Sequence, residues 1–125
     1  MKILFVDDSM DNLNLYKLYF KKLTDLEIDF MHDPEEGLTK ALNENYDLIF
    51  LDIQMPKLDG FQFKAKLVES DCYDIICALT GFNDDETLEK IKLSNFNEIL
   101  KKPILKKNLV ELVEKYKAGM SNEGK

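Results

Sequence analysis

The 125-residue sequence contains no arginine and no tryptophan, and its 17 basic residues are all lysines. Together with 24 acidic residues they give a formal net charge of −7. Nucleic-acid binding needs a basic surface, and specific base contacts are made most often by arginine, so we expect no direct contact with DNA or RNA. Acidity of this degree is compatible with a metal site or with basic partners.

Long apolar runs and disulfide-forming cysteine pairs are also missing. No stretch approaches the roughly 20 apolar residues that a membrane-spanning helix needs, and the N-terminus begins a strand instead of a signal peptide. The sequence therefore predicts no membrane contact and a cytoplasmic location. Cys72 and Cys77, the only two cysteines, would stand about 16 Å apart in an extended chain, so both are predicted to be reduced.

Five strand-like segments alternate with five segments of helical periodicity. The runs 3–6, 48–51 and 75–79 are apolar throughout, which indicates strands buried on both faces of a parallel sheet. Segments 26–30 and 98–101 are more polar, which is typical of edge strands. The pattern predicts a flavodoxin-like doubly wound α/β fold, with a five-stranded parallel sheet in the order 2-1-3-4-5 and five helices.

Apolar residues in the helical segments recur at intervals of three and four, as one buried face requires. Ser9 or Asp11 is the predicted cap of the first helix, Pro34 begins the second, and Asn83 or Asp84 caps the fourth. The fourth helix has few apolar positions, which predicts weak docking. The residues predicted to face the core are Leu13, Tyr16, Phe20 and Leu23, then Leu38, Ala41 and Leu42, then Phe61, Ala65 and Val68 with Leu67 flanking them, then Leu88, Ile91 and Leu93, and finally Leu109, Leu112, Val113 and Tyr116.

The sequence shows no linker, internal repeat or change of composition that would divide it. Its length suits one domain with a full hydrophobic core. We therefore expect one domain over residues 1–117. The polar tail over residues 118–125 has little to bury and is predicted to be disordered.

Charged and polar residues follow or end four of the predicted strands. Because the carboxyl ends of parallel strands meet at one edge, where open α/β sheets place their chemistry, we expect these side chains to converge. They are Asp7 and Asp8 after strand one, Asp52 at the end of strand three, Thr80 at the end of strand four, and Lys102 after strand five.

This predicted cluster suits phosphoryl transfer to an aspartate. Neighbouring carboxylates repel one another, and Mg²⁺ relieves the repulsion by taking one or two carboxylates together with waters and phosphate oxygens. We expect Asp8 and Asp52 to bind Mg²⁺ directly and Asp7 to bind it through water, with a further oxygen from the backbone carbonyl of Gln54. The lysine of the cluster would neutralise Asp52 and later hold a phosphoryl oxygen, while the threonine hydroxyl would donate to another.

Segment 48–60 is an apolar strand ending in Asp52, followed after two further residues by Met55-Pro56 and then by Gly60. This order resembles the phosphoacceptor segment of response-regulator receiver domains, and the likeness extends over residues 2–117. The resemblance implies that the two aspartates after strand one are the family's acidic pair and that Asp52 is its phosphoacceptor. It also implies that Thr80 is the family's switch hydroxyl and that Lys102, directly before Pro103, is the lysine of its Lys-Pro pair.

The resemblance implies a phosphorylation switch in two-component signalling that requires Mg²⁺. Such a domain is not an enzyme with a separate substrate, because it catalyses only its own phosphoryl transfer and autodephosphorylation. The donor would be a sensor histidine kinase, a histidine phosphotransfer protein or a small acyl phosphate. The face formed by helix four, strand five and helix five would bind a downstream protein target or a second receiver.

One position departs from the family's pattern, and two others bear on the lifetime of the phosphoryl group. Ile99 stands three residues before Lys102, where such domains usually carry tyrosine or phenylalanine. Gln54 and Phe82 stand where the family tunes dephosphorylation, and the Phe82 ring is predicted to shield an acyl phosphate from water.

Three other functions fit the sequence less well. A phosphatase with an aspartyl nucleophile would need a second aspartate two residues later, where this chain has Gln54. A flavin- or nucleotide-binding module would need a phosphate cradle after strand one, where this chain has two aspartates. A receiver-like interaction module that signals without phosphorylation predicts a missing site residue, and none is missing.

Overall fold

The computed structural model describes residues 1–72, 74–81 and 85–123. Five parallel strands form one sheet in the order β2-β1-β3-β4-β5, which confirms the predicted flavodoxin-like doubly wound fold. The strands are β1 Lys2–Val6, β2 Glu27–Met31, β3 Leu48–Asp52, β4 Ile76–Thr80 and β5 Glu98–Lys101. The helices are α1 Met10–Tyr19, α2 Pro34–Asn43, α3 Gly60–Glu69, α4 Asp85–Leu93 and α5 Lys106–Glu123.

Burial of the strands follows their sequence patterns. Every residue of β3 and β4 is buried, whereas β2 and β5 are only partly covered. One face of the sheet packs against α1 and α5 around Phe5 and Phe50, whose ring centroids lie 4.5 Å apart. The other face packs against α3 through Phe63 and Leu67. The apolar strands therefore lie inside the sheet and the polar strands at its edges, as predicted.

The register aligns the carboxyl ends of the strands. Val6 at the end of β1 pairs with Leu51 of β3, and Asp52 at the end of β3 pairs with Leu79 of β4. The residues that follow these strands therefore begin at nearly the same level of the sheet. This alignment gathers the predicted polar residues at one edge.

The predicted buried face of α3 is confirmed for the flanking Leu67 but is wrong at two other positions. Phe63 and Leu67 are its buried large side chains, whereas Ala65 and Val68 are exposed. The helix packs on the sheet through its first residue, Gly60, and residues three and seven positions later share the same face. The orientation of α3 therefore follows from the close contact of Gly60 with the backbone after β3, and the spacing of apolar residues in the helix does not show it.

The first residues of α1 and α2 agree with the sequence prediction. Ser9 is the N-cap of α1, and Pro34 is the first residue of α2. In α2, Ala41 is buried as predicted, but Leu42 is exposed. Leu42 lies one residue, or about 100°, around the helix from Ala41, so both side chains cannot face the sheet equally.

Helix α4 packs on the sheet through few apolar side chains. Ile91 is its only buried residue among those described, and Leu93 is 73% exposed. The small number of apolar positions in the sequence predicted this thin contact. The predicted caps Asn83 and Asp84, and the predicted shielding ring of Phe82, lie outside the described residues.

Helix α5 is longer than expected and continues to Glu123. The helix therefore includes residues 118–123, and the division of the chain at residue 117 stays a prediction; the last two residues lie outside the described part of the chain. Leu109 and Val113 anchor α5 in the core. Once a helix is anchored, each added residue gains a backbone hydrogen bond at little cost, so a polar sequence can continue it.

The remaining sequence predictions concern cysteines and membrane spans. Both cysteines are free, with Cys77 buried in β4 and Cys72 half-buried. Within the described ranges, no helix is both long and apolar enough to cross a membrane.

Candidate functional site

The carboxyl edge of the sheet brings together the side chains that the sequence pattern singled out. Asp7, Asp8 and Asp52 each offer a carboxylate oxygen, and these oxygens lie within 4.8 Å of one another. A neighbouring cavity of about 280 Å³ is lined by Asp8, Asp52, Gln54, Thr80, Gly81 and Lys102. Acidic, hydroxyl and ammonium groups therefore face the same small volume.

Lys102 connects two of the three carboxylates. Its Nζ lies 3.2 Å from Asp7 Oδ2 and 3.3 Å from Asp52 Oδ1. Its backbone N–H donates to the carbonyl of Thr80 at 2.7 Å, which fixes the start of the β5–α5 loop beside β4. The lysine therefore reaches across the ends of β4 and β3 to β1.

The three aspartates differ in their exposure. Asp7 is fully buried and Asp52 is 4% exposed, whereas Asp8 is open to solvent. One lysine cannot balance three carboxylates, so the cluster carries excess negative charge. Oxygen ligands with excess negative charge fit a hard divalent cation, so Asp7, Asp8 and Asp52 could hold a metal ion.

The environment of Asp52 disfavours its charged form in the metal-free protein. Burial, followed by the charge of Asp7, raises the pKa of Asp52 to about 7, while Lys102 and the backbone N–H of Gln54 oppose the shift. The Gln54 N–H donates to Asp52 Oδ1 at 3.3 Å. Because a cation favours the carboxylate form, metal binding and ionisation of Asp52 reinforce each other.

Asp52→Asn is expected to stabilise the metal-free protein, and more so at about pH 8 than at about pH 5. The raised pKa means that the folded state holds a proton that the unfolded state releases, so wild-type stability falls as pH rises from about 4 to about 7. Asparagine does not titrate, so the difference in free energy of unfolding should grow through this range, by on the order of 2 kcal/mol. Urea unfolding in EDTA measures it, and an equal difference at both pH values would contradict the expectation.

The turn after Asp52 is held close to β3. The N–H of Gly60 donates to the carbonyl of Ile53 at 2.9 Å. A Cβ at Gly60 would lie 2.9 Å from Ile53 Cα and 3.0 Å from the carbonyl oxygen of Asp52. Only glycine allows the backbone at position 60 to lie this close to Ile53 and Asp52. Gly60 therefore fixes the backbone position of Asp52.

Asn12 also belongs to the site, although the sequence pattern did not indicate it. Its side-chain amide donates to Asp7 Oδ2 at 3.2 Å from the first turn of α1. The available signal was its position, three residues after the N-cap Ser9, where a helix begins immediately beside the acidic pair. Asparagine is common near helix starts for reasons of capping alone, so its type did not distinguish it.

Comparison with known proteins gives a consistent result. Residues 3–114 match the family described as response regulator receiver domain. The chain is 33% identical, over 98% of its length, to the osmosensing histidine protein kinase SLN1 of Saccharomyces cerevisiae. It is 31% identical, over 94% of its length, to the transcriptional regulatory protein FlgR of Helicobacter pylori.

The solved structure of chemotaxis protein CheY4 of Vibrio cholerae has the same fold. It is similar with a TM-score of 0.79 and 27% identity, covering 92% of this chain and 97% of that chain. The curated relatives are longer, since the chain spans 11% of SLN1 and 30% of FlgR.

Proposed function

Since this chain belongs to the response regulator receiver domain family of two-component systems, we propose that it is a switch operated by phosphorylation of Asp52. The observation that carries the proposal is the position of Asp52, which lies 3.3 Å from the Lys102 ammonium and beside two further carboxylates. A nucleophile, a cation for the phosphoryl oxygens and a set of metal ligands are the parts that this chemistry needs.

The donor set fits Mg²⁺. Asp8 and Asp52 would bind it directly, with the backbone carbonyl of Gln54, and Asp7 would bind it through water. When bound, Mg²⁺ would neutralise charge on the transferring phosphoryl group. The exposure of Asp8 leaves an open side for water and phosphate ligands, which Mg²⁺ usually keeps.

In the proposed step, a carboxylate oxygen of Asp52 attacks the phosphorus of the donor. The new bond is an O–P bond to Asp52, and the bond that breaks joins phosphorus to the donor's imidazole nitrogen or, in acetyl phosphate, to its acyl oxygen. The electron pair of that bond leaves with the donor. Lys102 then turns from the two aspartates to a phosphoryl oxygen, and the Thr80 hydroxyl donates to another.

The donor would be a sensor histidine kinase or a histidine phosphotransfer protein, and the output would be a protein contact. The surface formed by α4, β5 and α5 is the proposed docking face for a downstream protein or a second receiver. Its link to the site is short, because Ile53 directly follows Asp52 and packs in one cluster with Ile91 of α4 and Ile99 of β5. A phosphoryl group that shifts the β3 end would therefore act on the only buried residue described in α4.

The proposal is tested by incubating the protein with acetyl phosphate or phosphoramidate and measuring the intact mass. With Mg²⁺ we expect one phosphoryl adduct, and with EDTA we expect its rate of formation to fall by roughly a hundredfold or more, because a metal ion contributes several kcal/mol to this kind of transition state. An equal rate in EDTA would contradict the metal requirement. No adduct on a folded protein that binds Mg²⁺ would favour the receiver-like interaction module that signals without phosphorylation.

A further inference from the structure

We propose that Asn12 is a positioning residue for the metal site, acting through Asp7. Its amide holds Asp7 in the orientation that a bound cation requires, and it keeps a donor on Asp7 when Lys102 moves away. The inference rests on the proposed function in taking Mg²⁺ as the cation and the phosphoryl group as the new partner of Lys102.

The hydrogen-bond and ion-pair partners of Asp7 support this proposal. This fully buried side chain accepts the backbone N–H of Ser9 on Oδ1 at 2.9 Å. Its Oδ2 accepts two donors, the amide of Asn12 at 3.2 Å and the ammonium of Lys102 at 3.2 Å. Asn12 and Lys102 therefore both donate to Oδ2 of Asp7, and only the asparagine side chain is uncharged.

The start of α1 explains how Asn12 reaches this oxygen. Ser9 is the N-cap, and its Oγ accepts the backbone N–H of Asn12 at 3.2 Å. The same Ser9 donates its own N–H to Asp7. The two contacts of Ser9 fix both Asp7 and the first turn of the helix, so the Asn12 amide is placed before any cation binds. Such preorganised outer partners set the orientation and affinity of metal ligands.

The neutrality of Asn12 matters for binding a cation. A lysine or arginine at this position would neutralise Asp7 and compete with the metal for its charge. The amide satisfies an oxygen of Asp7 and leaves the full negative charge available. Asn12 therefore orients Asp7 without weakening its attraction for Mg²⁺.

The amide also matters once Asp52 is phosphorylated. As Lys102 turns to the phosphoryl group, Oδ2 of Asp7 loses its ion pair inside a buried site. A buried carboxylate oxygen without a donor is strongly unfavourable. Asn12 keeps one hydrogen bond on that oxygen, which lowers the cost of releasing the lysine.

The test measures Mg²⁺ affinity of the unphosphorylated protein by isothermal titration calorimetry. Asn12→Ala is expected to weaken binding roughly tenfold, the lower end of the range for outer partners of metal ligands. Asn14→Ala is the matched control, because it makes the same change at an exposed position of the same helix, and it should stay within about twofold of wild type. Asn12→Leu, which removes the amide but fills similar space, is a second variant that should behave as Asn12→Ala does.

A double substitution shows whether Asn12 acts through Asp7. In an Asp7→Asn background, Asn12→Ala should cause little further loss of Mg²⁺ affinity, because the shared contact is already altered. A tenfold further loss in that background, or wild-type affinity in both Asn12 variants, would overturn the inference. Thermal unfolding in EDTA verifies that each variant is folded.

The Mg²⁺ titration tests the role of Asn12 separately from the phosphorylation experiment. Absence of a phosphoryl adduct on wild-type protein would overturn the phosphorylation proposal. The Mg²⁺ affinities of the Asn12 variants would still test the positioning role of Asn12. Conversely, an adduct with unchanged Mg²⁺ affinity in the Asn12 variants would overturn this inference alone. A wild-type protein that binds no Mg²⁺ would also overturn it.

Discussion

Asp52→Asn is expected to abolish the phosphoryl adduct that forms with acetyl phosphate and Mg²⁺, while the protein stays folded. The amide nitrogen and oxygen of asparagine are far weaker nucleophiles than a carboxylate, and the variant also removes one of the proposed metal ligands. Asparagine has nearly the same shape and volume as the buried Asp52 side chain and fits the same space beside Lys102, so the fold should persist. Intact mass after incubation measures the adduct directly.

The matched control for this substitution is Asp11→Asn. Asp11 is an exposed carboxylate in the first turn of α1, outside the three-aspartate cluster, and its variant should form the adduct at the wild-type level. A persistent adduct on the Asp52→Asn variant would contradict the assignment of the phosphoacceptor. The solvent-exposed Asp8 would then be the next residue to replace.

Gly60→Ala is expected to lower the free energy of unfolding by about 3 kcal/mol, at the upper end for an overpacked site. The added Cβ would lie 2.8 Å from Ile53 Cδ1, 2.9 Å from Ile53 Cα and 3.0 Å from the carbonyl oxygen of Asp52. One of these atoms belongs to the backbone of β3 and another to the residue directly after it, and β3 cannot easily shift because it pairs with β1 and β4 on either side. Urea unfolding measures the loss.

Gly119→Ala is the matched control for added volume at a glycine. A Cβ there meets no atom within 4 Å, and the residue lies inside α5, so alanine should raise the free energy of unfolding by up to about 1 kcal/mol. The two substitutions are chemically identical and should have opposite signs. A wild-type unfolding midpoint for Gly60→Ala would show that the β3–α3 turn relaxes freely.

The sequence was sufficient to predict the sheet and the position of the site because both follow from burial. Apolar strands such as β3 and β4 must be covered on both faces, which leaves the two polar strands for the edges. Once the order is known, the carboxyl ends of neighbouring strands must converge. The proximity of Asp7, Asp52 and Lys102 was therefore a consequence of topology, even though the residues are far apart in the sequence.

The features that the sequence did not predict depend on three-dimensional contacts, which the order of residues along the chain does not show. The buried face of α3 depends on the approach of Gly60 to the strand, which is a three-dimensional contact. The length of α5 depends on anchoring by Leu109 and Val113, because a polar segment can continue a helix that is already docked. The proposed role of Asn12 depends on one hydrogen bond to Asp7, and helical periodicity carries no information about that bond.

Among the described residues, the cation that contacts the aspartate cluster is Lys102, which directly follows the last strand of the sheet. During ribosomal synthesis the acidic residues after β1 and at the end of β3 are made long before Lys102, which follows β5. Until Lys102 has been made, Asp7 and Asp52 lack the ammonium that contacts both of them. The proposed phosphoacceptor therefore gains its ammonium partner last, and we expect an unfinished chain that lacks β5 to form no phosphoryl adduct.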